Sequence, residues 1–156
     1  MKTNSKKIGN NYEREIAFQL SEWIFNDKHV LKRESTSGGV KTVYFGDIYP
    51  IKDTGWDHFP FYIEVKHGYE KNLPTLLNFT IIESWWHKCV LESEQSNGQD
   101  IILLIYNPTG RRGVLLCTNT VLNIAYKCIL NISPHIVYCY DFKNMIKNYD
   151  FETVFK

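Results

Sequence analysis

The sequence predicts one mixed α/β domain over 1–156, its elements running helix, strand, strand, strand, helix, strand, strand, with a C-terminal α/β extension over 118–156. Three observations carry this. Ile16, Leu20, Trp23 and Ile24 recur at helical spacing, Phe61 to Lys66 alternates with a period of two, and Ile101 to Tyr106 is a continuous apolar run.

The first helix is expected to start near Gly9-Asn10-Asn11, where an asparagine suits a cap, and to run to about Asn26-Asp27. On its wheel Glu13 falls within the apolar stripe and Glu15 opposite it, so Glu13 needs a cation, a donor or a water-filled cleft to face. His29 to Glu34 reads as a strand, and 35–39, rich in Ser and Gly, as a loop. A second strand spans 42–51, carries Asp47 and ends at Pro50. The connection 52–58 holds Asp53, Asp57 and His58, read as surface residues. A third strand covers 59–67, and three strands without a helix between them suggest a meander.

A second helix is expected from about Leu76 to Glu94, where Leu77, Ile81, Trp85, Lys88-Cys89 and Glu92 follow a spacing near 3.6, with Trp85 and Trp86 read as core. Ile101 to Tyr106, rich in branched residues, fits a strand buried on both faces. A turn through 107–110 leads to a hairpin partner at Val114 to Cys117. A helix over Thr120 to Leu130, a strand over His135 to Tyr140 and a helix capped near Asp141 and reaching Asn148 complete the chain.

Composition excludes several classes. With 18 basic and 17 acidic side chains, net charge is +1, so contact with a polyanion must come from local patches such as Lys6-Lys7, Lys28 with Lys32-Arg33, and Arg111-Arg112. No apolar run approaches a membrane span and the opening residues lack a secretory segment, so a cytosolic protein without membrane contact is expected. Cys89, Cys117, Cys128 and Cys139 form no Cys-x-x-Cys pair and read as buried reduced thiols.

The most informative residues lie on the third strand. Phe61, Ile63 and Val65 point one way while Tyr62, Glu64 and Lys66 point the other, which presents a carboxylate and an ammonium together. Asp47 supplies a second carboxylate from the neighbouring strand. Two acidic oxygens suit a hard divalent cation such as Mg²⁺, and a lysine beside them suits an attacking water and a phosphate gaining charge. His67 falls on the opposite face and is read as packing.

This order, with Asp47 followed at a distance by Glu64-Val65-Lys66, resembles the restriction-endonuclease-like PD-(D/E)XK nuclease superfamily. Gly9-Asn10-Asn11-Tyr12-Glu13-Arg14-Glu15 is similar to the first helix of archaeal-type Holliday junction resolvases, and Leu31-Lys32-Arg33-Glu34-Ser35 to the basic strand that follows it there. The resemblance covers roughly 9–117 and implies a central mixed sheet of about five strands flanked by helices. It implies that Asp47, Glu64 and the Val65 carbonyl hold Mg²⁺, with Mn²⁺ able to substitute, and that Glu13 completes the acidic site through a metal-bound water. Lys66 would orient or deprotonate the attacking water, and Arg33 would touch a phosphate, with Lys32, Ser35, Ser37, Arg111 and Arg112 as further DNA contacts. The implied partner is DNA, branched or four-way, cut by a homodimer. The resolvases are shorter and more basic, and 118–156 has no assigned counterpart there.

Overall fold

A computed structural model describes residues 5–34, 45–68, 79–96, 98–107, 113–118 and 124–155. The expected mixed α+β architecture is present. Helix α1 (Ser5–Phe25) precedes β1 (Leu31–Arg33), β2 (Ile48–Pro50) and β3 (Phe61–His67). Helix α2 (Phe79–Glu94) then leads to β4 (Ile101–Asn107), β5 (Val114–Thr118), β6 (Cys128–Ile132) and β7 (His135–Asp141), and α3 (Phe142–Asn148) and α4 (Phe151–Val154) close the chain.

The main sheet has five strands in the order β3-β4-β5-β7-β6, parallel between β3 and β4 and antiparallel elsewhere. Helix α2 makes the crossover that parallel neighbours require. The period of two in β3 and β4 divides the core between the two faces of the sheet. Phe61, Ile63, Leu103 and Ile105 pack with Ile16 and Leu20 of α1 and Met145 of α3, whereas Tyr62, Leu104 and Tyr106 pack with Ile82, Trp86 and Cys89 of α2. Strand β4 is thus buried on both faces, as its apolar run requires, and each such side chain contributes about 1.5–3 kcal/mol.

Four expectations are corrected. Helix α1 begins by Ser5, so Gly9, Asn10 and Asn11 lie inside it: the Asn10 and Asn11 side chains accept hydrogen bonds from Arg33 and Arg14 instead of capping. The helix ends at Phe25, where Asn26 takes a left-handed conformation (φ 53°). Among the described residues the first three strands form no meander, because β1 and β2 pair with each other and the segment before β2 meets β3 in one parallel bridge, Gly46 to Ile63. The expected helix over Thr120 to Leu130 is displaced by β6: residues 119–123 lie outside the description, and Cys128 to Ile132 pairs in antiparallel register with β7. Its alternating burial, with Ile129 and Asn131 outward, shows that period two prevailed over the helical reading.

The extension builds core. Asp141 caps α3 by accepting from the Asn144 amide at 3.0 Å, as its sequence suggested. The short α4 was not foreseen. It sets Phe151 against Trp23 and Phe61, ring centroids 5.3 and 6.0 Å apart, and Trp23 donates its indole N–H to the Tyr149 carbonyl at 2.7 Å. Among the described residues no helix is long and apolar enough to cross a membrane.

Candidate functional site

Asp47 is held by main chain on two sides. Its amide donates to the Ile63 carbonyl at 2.7 Å and its carbonyl accepts from the Glu34 amide at 2.7 Å, so it is strung between β3 and the end of β1. Close approach to β3 depends on Gly46, at φ 94°, where an added Cβ would lie 2.6 Å from the Ile63 carbonyl oxygen. Gln99, fully buried, fastens the same segment: its amide accepts from Phe45 N at 2.7 Å and donates to the Phe61 carbonyl at 2.7 Å and the Phe45 carbonyl at 3.2 Å. With the backbone so placed, Asp47 Oδ2 accepts from the Val65 amide at 2.8 Å. Among the described residues, that is the one hydrogen bond its carboxylate receives.

Glu64 follows on β3 and is only 2% exposed. Lys66 Nζ donates to its Oε1, Lys88 of α2 donates to the same oxygen at 2.9 Å, and the Tyr62 hydroxyl lies 3.3 Å from Oε2. The single proton of that hydroxyl goes to Glu92 at 2.5 Å, and Lys88 reaches Glu92 at 3.5 Å. Two ammoniums therefore compensate one buried carboxylate, which would be costly unpaired.

The two carboxyls are driven apart electrostatically. Burial pushes Asp47 up to about 7, and the charge of Glu64 adds to this, with a smaller contribution from Glu13; the Val65 amide and Lys66 oppose it. Burial also raises Glu64, but Lys66 and Lys88 outweigh it and hold this carboxyl below its usual range. Burial disfavours the charge on Lys66, yet Glu64 and then Asp47 keep it above the ordinary lysine value. These neighbours favour the charged, donating form of Lys66.

Of the residues singled out in the sequence, Asp47, Glu64 and Lys66 come together, and Glu13 is near enough to act on Asp47. Glu13 is held by Arg33, whose Nε lies 2.5 Å from its Oε2, while Arg33 also donates to Asn10 at 2.9 Å. Arg33 is thus paired with the inward glutamate that lacked a partner in the sequence. Lys32 is exposed on β1; Ser35, Ser37, Arg111 and Arg112 lie outside the described residues. Asp53, Asp57 and His58 are exposed, and His67 packs against Tyr12 with ring centroids 4.7 Å apart. The four cysteines are free, and three are buried. Lys88, Tyr62, Glu92 and Gln99 were missed. The signal for two of them was present, since Lys88 and Glu92 interrupt the inward stripe of α2 with opposite charges one turn apart.

Among the described residues no group of three or more His, Cys, Asp or Glu side chains converges as a metal cage. The donor set instead offers two carboxylates, with the third, Glu13, tied to Arg33. That suits Mg²⁺, which keeps several waters and commonly takes one or two carboxylates plus substrate phosphate. The upward displacement of Asp47 points the same way, because a cation between two crowded carboxylates relieves their repulsion.

A family described as phage putative PDDEXK endonuclease matches residues 4–155, so the match takes in the C-terminal extension as well as the core. No curated protein and no solved structure matches the chain significantly.

Proposed function

The chain belongs to this family of phage PDDEXK endonucleases, and from that premise we propose that it is a Mg²⁺-dependent endodeoxyribonuclease, working in the cytosol on branched DNA of the four-way class. The observation that carries the proposal is Asp47, clamped by the Val65 amide beside the Glu64–Lys66 ion pair. A binding module gains nothing from crowding two carboxylates, one of them pushed up to about 7.

In this reading Asp47, Glu64 and the Val65 carbonyl hold Mg²⁺, or Mn²⁺ in its place, and Glu13 joins through a water. When bound, the ion supplies Lewis-acid polarisation of the scissile phosphate. The ammonium of Lys66 would orient the attacking water by donation and face the charge that builds on the phosphoryl oxygens as the water oxygen bonds to phosphorus; the water's proton passes to bulk water, and the P–O bond to the leaving strand then breaks with the negative charge going to the leaving oxygen. Lys88 donates to Glu64 from α2 and competes with the ion for that oxygen. Arg33, sharing itself between Glu13 and a backbone phosphate, grips the DNA, and Lys32, Ser35, Ser37, Arg111 and Arg112 add contacts along the backbone. Preference for branched DNA rests on the likeness of the Gly9 to Glu15 segment to junction resolvases, and it requires a two-fold dimer that sets one site on each of two strands.

The test is cleavage of labelled linear, flapped and four-way DNA with and without Mg²⁺, using the native chain, Asp47→Ala and Lys66→Ala. The expected result is Mg²⁺-dependent cutting that favours the branched substrates and falls by about 10²-fold or more in either variant. Survival of every substrate with the native protein rejects the enzyme. Equal cutting of linear and branched DNA rejects only the junction preference, and leaves a restriction-like, repair or DNA-degrading nuclease.

A further inference from the structure

Beside this site, α1, β1 and the residue following β2 enclose a groove of about 370 Å³, of whose lining the reading above uses Lys32 and Arg33 but not Arg14, Phe18, His29 or Ile51. Arg14 and Phe18 line it from α1, His29 from the turn, Lys32 and Arg33 from β1, and Ile51 from beyond β2. Among the described residues no carboxylate lines it. Among the described residues, Lys32 is in no ion pair, and the guanidinium of Arg14 donates to the neutral side chain of Asn11 at 3.0 Å. The apolar part is equally unusual: Phe18 is 45% and Ile51 52% exposed, and the Phe18 ring meets His29 edge-on with centroids 5.7 Å apart. A half-exposed aromatic ring in one groove with Lys32 and Arg14, neither of which meets a carboxylate among the described residues, and with Arg33, already bonded to Glu13, matches a ligand that is flat and anionic at once. A nucleotide has both properties, its base stacking on the ring and its phosphates meeting the cations. Arg33 connects this groove to the acidic cluster, since the guanidinium that lines one is bonded to Glu13 of the other.

We propose that this groove receives an unpaired nucleotide of the DNA, its base against Phe18 and its flanking phosphates on Arg14, Lys32 and Arg33. The proposal rests on the nuclease reading for the identity of the ligand. A fully paired duplex keeps its bases stacked inward and offers nothing to Phe18, so the groove selects strands with a single-stranded, flapped or unstacked position beside the cut.

The test measures affinity for a labelled single strand and for the blunt duplex of the same sequence, with Mg²⁺ and in a Lys66→Ala background that leaves the strands intact. Phe18→Leu keeps apolar bulk at an exposed position and removes the ring; Phe18→Trp keeps a stacking surface. The expected result is about tenfold weaker single-strand binding for Phe18→Leu, unchanged duplex binding, and recovery in Phe18→Trp. Unchanged single-strand binding in Phe18→Leu overturns the proposal, and so does an equal loss on both substrates. A native dimer that Phe18→Leu converts to monomer would assign the groove to a second copy of the chain and overturn it as well. These outcomes are separate from the nuclease reading, which cleavage by native protein and Asp47→Ala decides: a groove without stacking leaves cleavage standing, and single-strand binding through Phe18 by a chain that cuts nothing removes the nuclease alone.

Discussion

Lys88 Nζ lies 2.9 Å from Glu64 Oε1, so the buried carboxylate of β3 is shared between an ammonium from α2 and Lys66 of its own strand. Any cation arriving at Glu64 has to compete with both. In Lys88→Met the competition is halved, and the Mg²⁺ concentration giving half-maximal cleavage should fall by about fivefold, the worth of a half-exposed ion pair. A Mg²⁺ titration of the cleavage rate checks this. A rise in the half-maximal concentration would show that Lys88 helps to hold the cation site together.

Gly46→Ala should damage both stability and activity. The new methyl would sit 2.6 Å from the Ile63 carbonyl oxygen on a backbone with φ 94°, so the bridge to β3 must open. A loss of about 1–3 kcal/mol is expected from the strain. Because Asp47 moves with the bridge, cleavage should fall further than the unfolded fraction explains, as urea midpoints and rates measured on the same preparation would reveal.

Without divalent ions, stability should decline as pH rises from about 4 to about 7. Burial and Glu64 raise the Asp47 carboxyl to about 7 in the folded chain, above its unfolded value, so the folded state binds the extra proton. The stabilisation is complete below the unfolded value and is lost as pH passes through the folded one. With solvent reaching part of the side chain, about 1–2 kcal/mol is expected. Thermal midpoints across this range should fall for the native protein and stay flatter for Asp47→Asn.

Phe151→Ala should cost about 2–4 kcal/mol, since the ring touches Trp23, Trp56, Phe61 and Phe155. Cleavage by the folded fraction should be unaffected, as α4 contributes nothing to the acidic cluster. Calorimetry alongside rates below the unfolding transition would separate the two effects.

Much of this was legible in the sequence wherever a local period had one meaning. The alternation over Phe61 to Lys66 gave β3 and the shared face of Glu64 and Lys66, and the apolar run over Ile101 to Tyr106 gave a strand covered on both sides. Asp47 lies within electrostatic reach of Glu64 but not on the strand expected to carry it: β2 begins at Ile48, and the preceding segment makes a single bridge to β3. Where apolar residues satisfied two periods at once, local reading failed: Thr120 to Leu130 suits a helix, but pairing with β7 decided for a strand over Cys128 to Ile132. Partners supplied from far along the chain were hidden for a different reason. That Lys88 reaches Glu64, or that Arg33 takes Glu13, follows from how α2 and α1 lie on the sheet, which no local pattern encodes.

The buried amide of Gln99 belongs to none of the charged groups, yet it pins Phe45 and Phe61 and so sets how Asp47 meets β3. In the nuclease reading, alignment and reactivity are therefore written in different residues. Exchanging Asp47 for asparagine removes a charge but keeps an oxygen for the Val65 amide, leaving the scaffold in place. An inert protein of that kind would be a faithful decoy for capturing the chain on its nucleic acid.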